Sequence, residues 1–493
     1  MNGNNFFNEI SKKSQFKKGF YFEIFVQNLL KVHLEKQNKT YVSEYFSNNC
    51  HLDGYAEFGI DTVEEPVAFE IESISIINKS QTSGFINNVN SVLKVMQIKC
   101  FILICPAISS EIHQYILNRF SDSEIKIIIW DIVNLNQLID LHRKDADNIT
   151  NNLFKLGVEN DIRKDEENNW EKRREVIIKE IREGYKKGAF SLFLGSGVSC
   201  SAGFPDWNQL LKHLYASYVN KEFNDKTISN EDLQLITQKI IDINNGSAIA
   251  NARYLREGLS QGKSDNSFVK AIKEALYTNT NKGKICSSKL IDSITSLCVP
   301  KRTGANVRSI ITYNFDDLLE EKFKEVNLEY HSICMGEEQY EANKLPIYHV
   351  HGFIPRNSEV ENNSTLVFSE DAYHKVYSEP YHWSNLVQLT SLCENNCLMI
   401  GLSMTDPNLR RLLEIAALKQ SGNERHYALM VRLNLENLKN ANDNTKEINS
   451  EVAEKMLRIH NVIQEQMMKS LGVNIIWCNN YDEYPSLIDK IRN

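Results

Sequence analysis

The residues of this chain best suited to chemistry fall in four short segments. Gly195, Ser196, Gly197, Ser199, Gly203, Pro205 and Asp206 form a glycine-rich run. A strand that ends in Gly-x-Gly turns tightly, lets backbone approach a pyrophosphate, and aims the first N–H groups of the next helix at its charge. Thr312, Asn314 and Asp316 alternate with two aromatics, supplying a neutral amide and a carboxylate. His351, followed by Gly352, supplies a base that titrates near neutrality. Gly401, Ser403 and Asp406 form the fourth set.

Each segment follows an apolar run of strand length, at residues 189–194, 307–311, 346–350 and just before Gly401. Helical patterns follow at 207–218, 317–323 and 408–418. Taken singly, the residues have structural uses: Asn314 and Asp316 can cap the helix over 317–323, and Ser403 and Asp406 the helix over 408–418. His351 can serve a turn, and His349 lies two residues earlier on the same side of the strand. Together, all four segments sit at the C-terminal ends of strands, where an open α/β sheet gathers its ligands.

The run from Gly195 to Asp206 closely resembles the NAD-binding signature of the sirtuins. Thr312 to Asp316 looks like the Thr-x-Asn-x-Asp motif of that family, His351 and Gly352 like its catalytic His-Gly. Residues 398–409 are similar to the Gly-x-Ser strand end of its divergent bacterial members. The likeness spans about residues 180–485 and implies a Rossmann-like parallel sheet with a helical subdomain. It implies NAD+ as substrate, with Gly195, Ser196, Gly197, Ser199, Gly203, Pro205, Asp206, Thr312, Gly401, Ser403 and Asp406 as the binding set. In the catalytic set, Asn314 holds a water or ribose hydroxyl, Asp316 favours a cationic transition state, and His351 takes a proton.

The chain departs from the protein deacylases of the family. They carry two Cys-x-x-Cys pairs on a structural zinc, whereas Cys393 and Cys397 have no second pair and read as packing thiols. No metal is expected in this part of the chain. Asn208 stands where an Arg is frequent and Tyr313 where a Gln is, which argues against acyl-lysine chemistry. The stretch over 208–296 reads as mostly helical, with polar turns around 220–230 and 261–266. Arg253 and Arg256 share a helix face over 249–259, where ion pairing is the simplest use for them.

The first third has its own pattern: a helix around 20–30, then Asp53 and Asp61, then a strand over 66–72 carrying Glu70 and Glu72, then buried strands at 101–105 and 127–130. This order looks like the restriction-endonuclease fold of Mrr-type nucleases. The resemblance implies Mg2+ held by Asp53 or Asp61 together with Glu70, with DNA as partner. Glu72 occupies the place of the expected Lys, so weak or absent cutting is expected. Residues 1–150 are thus read as an α/β restriction-endonuclease-like domain, 151–187 as a charged, largely solvated helical linker, and 188–493 as the sirtuin-like domain.

Composition fits that division. An apolar fraction of 42% with 24% charged residues is ordinary for globular domains, and a net charge of -8 argues against a wholly basic nucleic-acid surface. Ten scattered cysteines and a polar start give the expectation of a reducing cytoplasm, with no membrane span. Sirtuin-like domains that lack the zinc module and are fused to nuclease-like domains are effectors of bacterial antiphage defence. They act as abortive-infection NAD+ hydrolases, in homo-oligomers and in some cases beside a HerA-type ATPase. The alternatives are a metal-dependent nuclease with a nucleotide-sensing domain, a protein deacylase or ADP-ribosyltransferase, and a non-catalytic scaffold.

Overall fold

The structure is a computed structural model. It describes residues 15–47, 50–63, 66–73, 75–76, 78–93, 98–121, 123, 125–167, 170–223, 248–260, 266–277, 287–302, 304–338, 341–357, 366–419, 426–441 and 449–493. The polar turns expected around 220–230 and 261–266 lie mostly outside these residues. The chain divides into two compact units. One comprises Met1–Glu167 with Ala417–Glu424 and Arg458–Leu471, and the other comprises the remainder.

The first unit is built on a five-stranded sheet in the order β1 (Val42–Ser47), β2 (Cys50–Ala56), β3 (Val67–Ile71), β4 (Cys100–Ile104) and β5 (Lys126–Trp130). β1, β2 and β3 pair antiparallel, while β3, β4 and β5 pair parallel. The apolar runs of β3 and β4 lack polar alternation because both faces are covered. Phe69, Ile102 and Ile104 pack with Phe25 and Leu29 of the helix Gln15–Lys36. On the other face Ala68, Phe101 and Leu103 pack with Phe85 and Val89 of Ser83–Leu93 and Ile116 of Ser110–Arg119.

The second unit holds seven strands, all paired parallel: β6 (Phe190–Leu194), β7 (Val307–Thr312), β8 (Tyr330–Ile333), β9 (Leu345–His349), β10 (Asn396–Ile400), β11 (His426–Val431) and β12 (Val473–Cys478). Their spatial order is β12-β11-β10-β6-β7-β9-β8. The strands that end in the four motif segments, β10, β6, β7 and β9, are therefore consecutive neighbours. Register makes this local: Leu194 pairs with Ile400 on one side and Thr312 on the other, and Thr312 with His349. A mixed α/β chain with a parallel sheet of this kind fits the Rossmann-like expectation.

Helices fill the remaining layers. Leu210 and Leu214 of Trp207–Phe223, Leu255 of Ala248–Leu259 and Ile272 of Ser267–Tyr277 form a separate apolar cluster with Phe315 and Phe368. Phe315 thus ties the Thr312–Asp316 segment to the helical layer. The helix Trp170–Lys186 is less solvated than its charge suggests, since Ile178, Ile181 and Tyr185 are fully buried in the core around β6. Its charges occupy the outer face while those residues, at spacings of three and four, form an inward stripe. Among the described residues, no helix is long and apolar enough to cross a membrane.

Candidate active site

The turn after β6 is held by backbone. The amide of Gly195 donates to the carbonyl of Ile400 (3.0 Å), and that of Gly197 to the carbonyl of Gly401 (3.0 Å). A methyl built on Gly195 would lie 2.5 Å from the Gly401 oxygen, and one on Gly197 would lie 2.8 Å from the Gly401 Cα. Gly401 itself has φ +68, in the left-handed region that side chains avoid. These glycines are required first because two strand ends touch, and the two amides are used on that contact. Ser196, between them, is exposed, and Gly203 turns with φ +88 beside open space.

Ser199, on the short helix Ser196–Cys200, joins this turn to β7. Its Oγ donates to Asp316 Oδ2 (2.7 Å) and accepts from Asn314 Nδ2 (2.8 Å). Asn314 Nδ2 also donates to the Gly195 carbonyl (3.0 Å), and its backbone amide to Thr312 Oγ1 (3.1 Å). With its amide nitrogen committed inward, Asn314 presents Oδ1, which no donor among the described residues reaches; the residue is half-buried. Oδ1 is suited to accept from a hydroxyl or a water.

Asp316 lies deeper than a direct ligand would. It is 6% exposed, with Oδ1 accepting from the Leu318 amide (3.2 Å) and Oδ2 from Ser199. Burial pushes its carboxyl up to about 6, against the pull of the Ser199 and Leu318 hydrogen bonds. It satisfies the first amide of the helix Leu318–Glu325, whose N-cap is Asp317, and at the same time fixes Ser199.

His351 follows β9 in a turn, buried, with its ring against Tyr313 (4.8 Å between centroids) and Tyr373 (5.5 Å), both edge-on. Tyr313 OH donates to Gln388 Oε1 and Tyr373 OH to Asp406 Oδ2 (2.9 Å). The His351 nitrogens make no hydrogen bond among the described residues. Burial lowers its pKa, opposed by Asp406, so the ring is a neutral acceptor at pH 7. Tyr373, which meets His351, and Gln388, which meets Tyr313, carry no sequence signal for this role, because both stand on helices that follow later in the chain.

The rest of the expected binding set has visible structural roles. Asp206 caps Trp207–Phe223, accepting from the Gln209 amide (2.8 Å) while Gln209 Oε1 accepts from its own amide (3.0 Å). Pro205 is buried beside it. Asp406 Oδ1 accepts from Leu409 N (2.7 Å) at the start of Pro407–Lys419, and exposed Ser403 meets Thr405 Oγ1 (2.6 Å). Arg253 and Arg256 are ion-paired, to Glu257 and Glu370 and to Asp371. Cys393 and Cys397 are free thiols, the latter buried.

In the first unit Asp53 or Asp61 together with Glu70 is the expected Mg2+ pair; among the described residues there is no group of three or more His, Cys, Asp or Glu side chains that could hold a metal ion. Asp53 Oδ2 accepts from the Ile71 amide (2.7 Å) and Glu70 Oε2 from Asn88 Nδ2 (2.8 Å). Asp61 instead takes His33 Nε2 (2.7 Å) and Gln37 Nε2 (2.7 Å). His33 Nδ1 then meets His142 Nε2 (2.8 Å), and His142 Nδ1 faces Lys36 Nζ (3.2 Å). Because Lys36 can only donate, His142 must accept at Nδ1 and donate at Nε2, which makes His33 accept at Nδ1 and donate to Asp61. The carboxylate of Asp61 ends a hydrogen-bonded chain and is spoken for.

Residues 308–454 match the family model described as SIR2-like domain. The chain is similar to three proteins named NAD(+) hydrolase ThsA. That of Enterococcus faecium is 24% identical over 328 residues, covering 65% of this chain and 58% of the relative. That of Acinetobacter baumannii (strain 532279) is 22% identical, over 56% of this chain and 49% of the relative. That of Bacillus cereus (strain MSX-D12) is 21% identical, over 65% and 57%. The chain thus spans about half, 49% to 58%, of the length of these relatives, and its likeness to them lies at the level of a SIR2-like domain.

Proposed function

We propose that this chain cleaves NAD+ to nicotinamide and ADP-ribose, as an abortive-infection effector of bacterial antiphage defence. The observation that carries the reading is the Ser199 bridge: one buried hydroxyl after β6 holds both Asn314 and Asp316 after the neighbouring β7. The name NAD(+) hydrolase borne by the similar proteins supports it.

The chemistry needs little covalent help. Nicotinamide in NAD+ is already a cationic leaving group, so the C–N glycosidic bond breaks with the electron pair returning to the ring. Asn314 Oδ1 orients water, or the ribose hydroxyl beside it, at the anomeric carbon. The buried Asp316 carboxylate favours the oxocarbenium-like charge, and His351 accepts the proton released when water adds. The sum is NAD+ plus water giving ADP-ribose, nicotinamide and a proton.

The first unit is read as a restriction-endonuclease-like sensing or assembly module, with homo-oligomers, a HerA-type ATPase and DNA as proposed partners and the cytoplasm as proposed location. The deciding assay incubates purified protein with NAD+, alone and with plasmid or phage-derived DNA, and identifies products. Free ADP-ribose with nicotinamide supports the hydrolase. Turnover only with an acyl peptide would make it a deacylase, cut DNA with intact NAD+ a nuclease, and binding without turnover a scaffold.

A further inference from the structure

Beneath Asn314 lies a buried pair that the reaction above does not use. His349, the last residue of β9, is 1% exposed, and Glu320, on the helix Leu318–Glu325, is 4% exposed. His349 Nε2 meets Glu320 Oε1 at 2.7 Å, and His349 Nδ1 meets the Asn314 carbonyl at 3.1 Å. Ser332 Oγ on β8 also donates to Glu320 Oε1 (2.8 Å), while Oε2 is buried with no partner among the described residues. A carbonyl can only accept, so Nδ1 carries a hydrogen and donates. Burial alone would raise the Glu320 carboxyl, yet the His349 imidazole and the His349 and Ser332 hydrogen bonds hold it below its ordinary value. The imidazole therefore bridges the two neighbours, donating to the Asn314 carbonyl from Nδ1 and meeting Glu320 through Nε2.

The placement matters because of what lies on the other side of the same residue. Asn314 is gripped in front through Nδ2, by Ser199 and Gly195, and from behind through its carbonyl, by His349. Two independent elements, β9 and the helix after β7, converge on the peptide that aims the amide. A paired charge with one oxygen unsatisfied contributes little to stability over an apolar packing of equal volume. It does impose one geometry.

We infer that His349 and Glu320 form a positioning pair for the active site, holding the Asn314 main chain so that Oδ1 points at the substrate's anomeric carbon. The inference rests on the hydrolase reading for its kinetic consequence, while its structural consequence is independent of it. Displacing a reacting group by about 1 Å costs on the order of 100-fold in rate. The loss falls mainly on kcat with little change in KM, since Oδ1 is one contact among the many that would hold NAD+.

The test uses the full chain with three substitutions. Asn puts its amide nitrogen close to the position of imidazole Nδ1, whereas Gln puts it close to Nε2. His349→Asn keeps the donor to Asn314 and is expected to retain kcat within about threefold, whereas His349→Gln removes it and is expected to drop kcat at least tenfold, each at near-constant KM. Glu320→Gln can donate its amide to Nε2 of a neutral imidazole that still holds Asn314 through Nδ1, so it should retain turnover rather than mimic His349→Gln, and a fall as large as that of His349→Gln would contradict this geometry. A crystal structure of His349→Gln should show the hydrogen bond from Asn314 to Ser199, 2.8 Å in the wild type, broken or lengthened. Wild-type kcat in His349→Gln, the same fall in kcat for His349→Asn and His349→Gln, or an intact Asn314–Ser199 hydrogen bond in His349→Gln would each overturn the pair's role. If the wild type cleaves no NAD+, the hydrolase reading fails by itself, and the crystallographic distance still decides the positioning.

Discussion

The amide of Gly197 donates to the carbonyl of Gly401 across 3.0 Å, and neither residue has room for a side chain facing the other. The contact welds the turn after β6 to the end of β10. Ser199, two residues past Gly197, then carries that fixed position to Asn314 and Asp316.

Substituting Gly401 should be costly for the fold. In Gly401→Ala the new methyl would sit 2.6 Å from the Val198 amide nitrogen, at a positive φ. A loss of about 2 kcal/mol or more is expected, read as a lowered thermal midpoint. Gly203→Ala is the control: its φ is also positive, but nothing lies within 4 Å of the added carbon, so only about 1 kcal/mol of backbone strain applies. Equal midpoints for the two variants would refute the steric weld.

Asn314→Ala should remove turnover while sparing the fold. The side chain is half-buried, and Ser199 retains its bond to Asp316 when the amide is gone. A fall in kcat of about 100- to 1000-fold is expected, the range for deleting one oriented polar group at a reacting centre. Steady-state NAD+ cleavage beside a melting curve checks it, and wild-type turnover in the pure variant removes Asn314 from the mechanism.

The pH dependence follows from Asp316. With its carboxyl pushed up to about 6 by burial, it is protonated and neutral below that pH and charged above it. If the charge supports the cationic transition state, kcat/KM, which reports the free enzyme, rises with pH through about 6 and then levels. In Asp316→Asn the rising limb should vanish along with most of the rate. A flat wild-type profile between pH 5 and 7 would show that the Asp316 charge plays no part.

Acid should weaken the first unit through His142. Burial, then Lys36 and His33, lower its pKa, so the folded unit keeps the ring neutral. Below the ordinary histidine value the unfolded chain takes up a proton that the folded unit does not. The stability contributed is therefore full above about pH 6.5 and declines as pH falls below it. In His142→Phe, denaturant midpoints should change less between pH 7.5 and 5.5 than in the wild type. The opposite trend would contradict the hydrogen-bonded chain from Lys36 to Asp61.

The sequence by itself determined the strands and the four segments at their ends, while their parallel sense was implied by the sirtuin resemblance. Apolar runs such as Phe190–Leu194 and Asn396–Ile400 have the length of buried strands, and glycine at 195, 197 and 401 marks a close approach. Only the tertiary structure decided which polar atoms those segments leave for a ligand. Asp61 carries the residue type of a metal ligand, yet His33 lies on a helix that brings its ring to the carboxylate. Asp316 had the type of a ligand and proved to be the anchor of Ser199, while His349, in sequence only a neighbour of His351, grips Asn314 from behind. Spacing along the chain fixes which face a residue takes on its own element; which partner consumes its hydrogen bonds depends on elements far away in sequence, and that is settled only by packing.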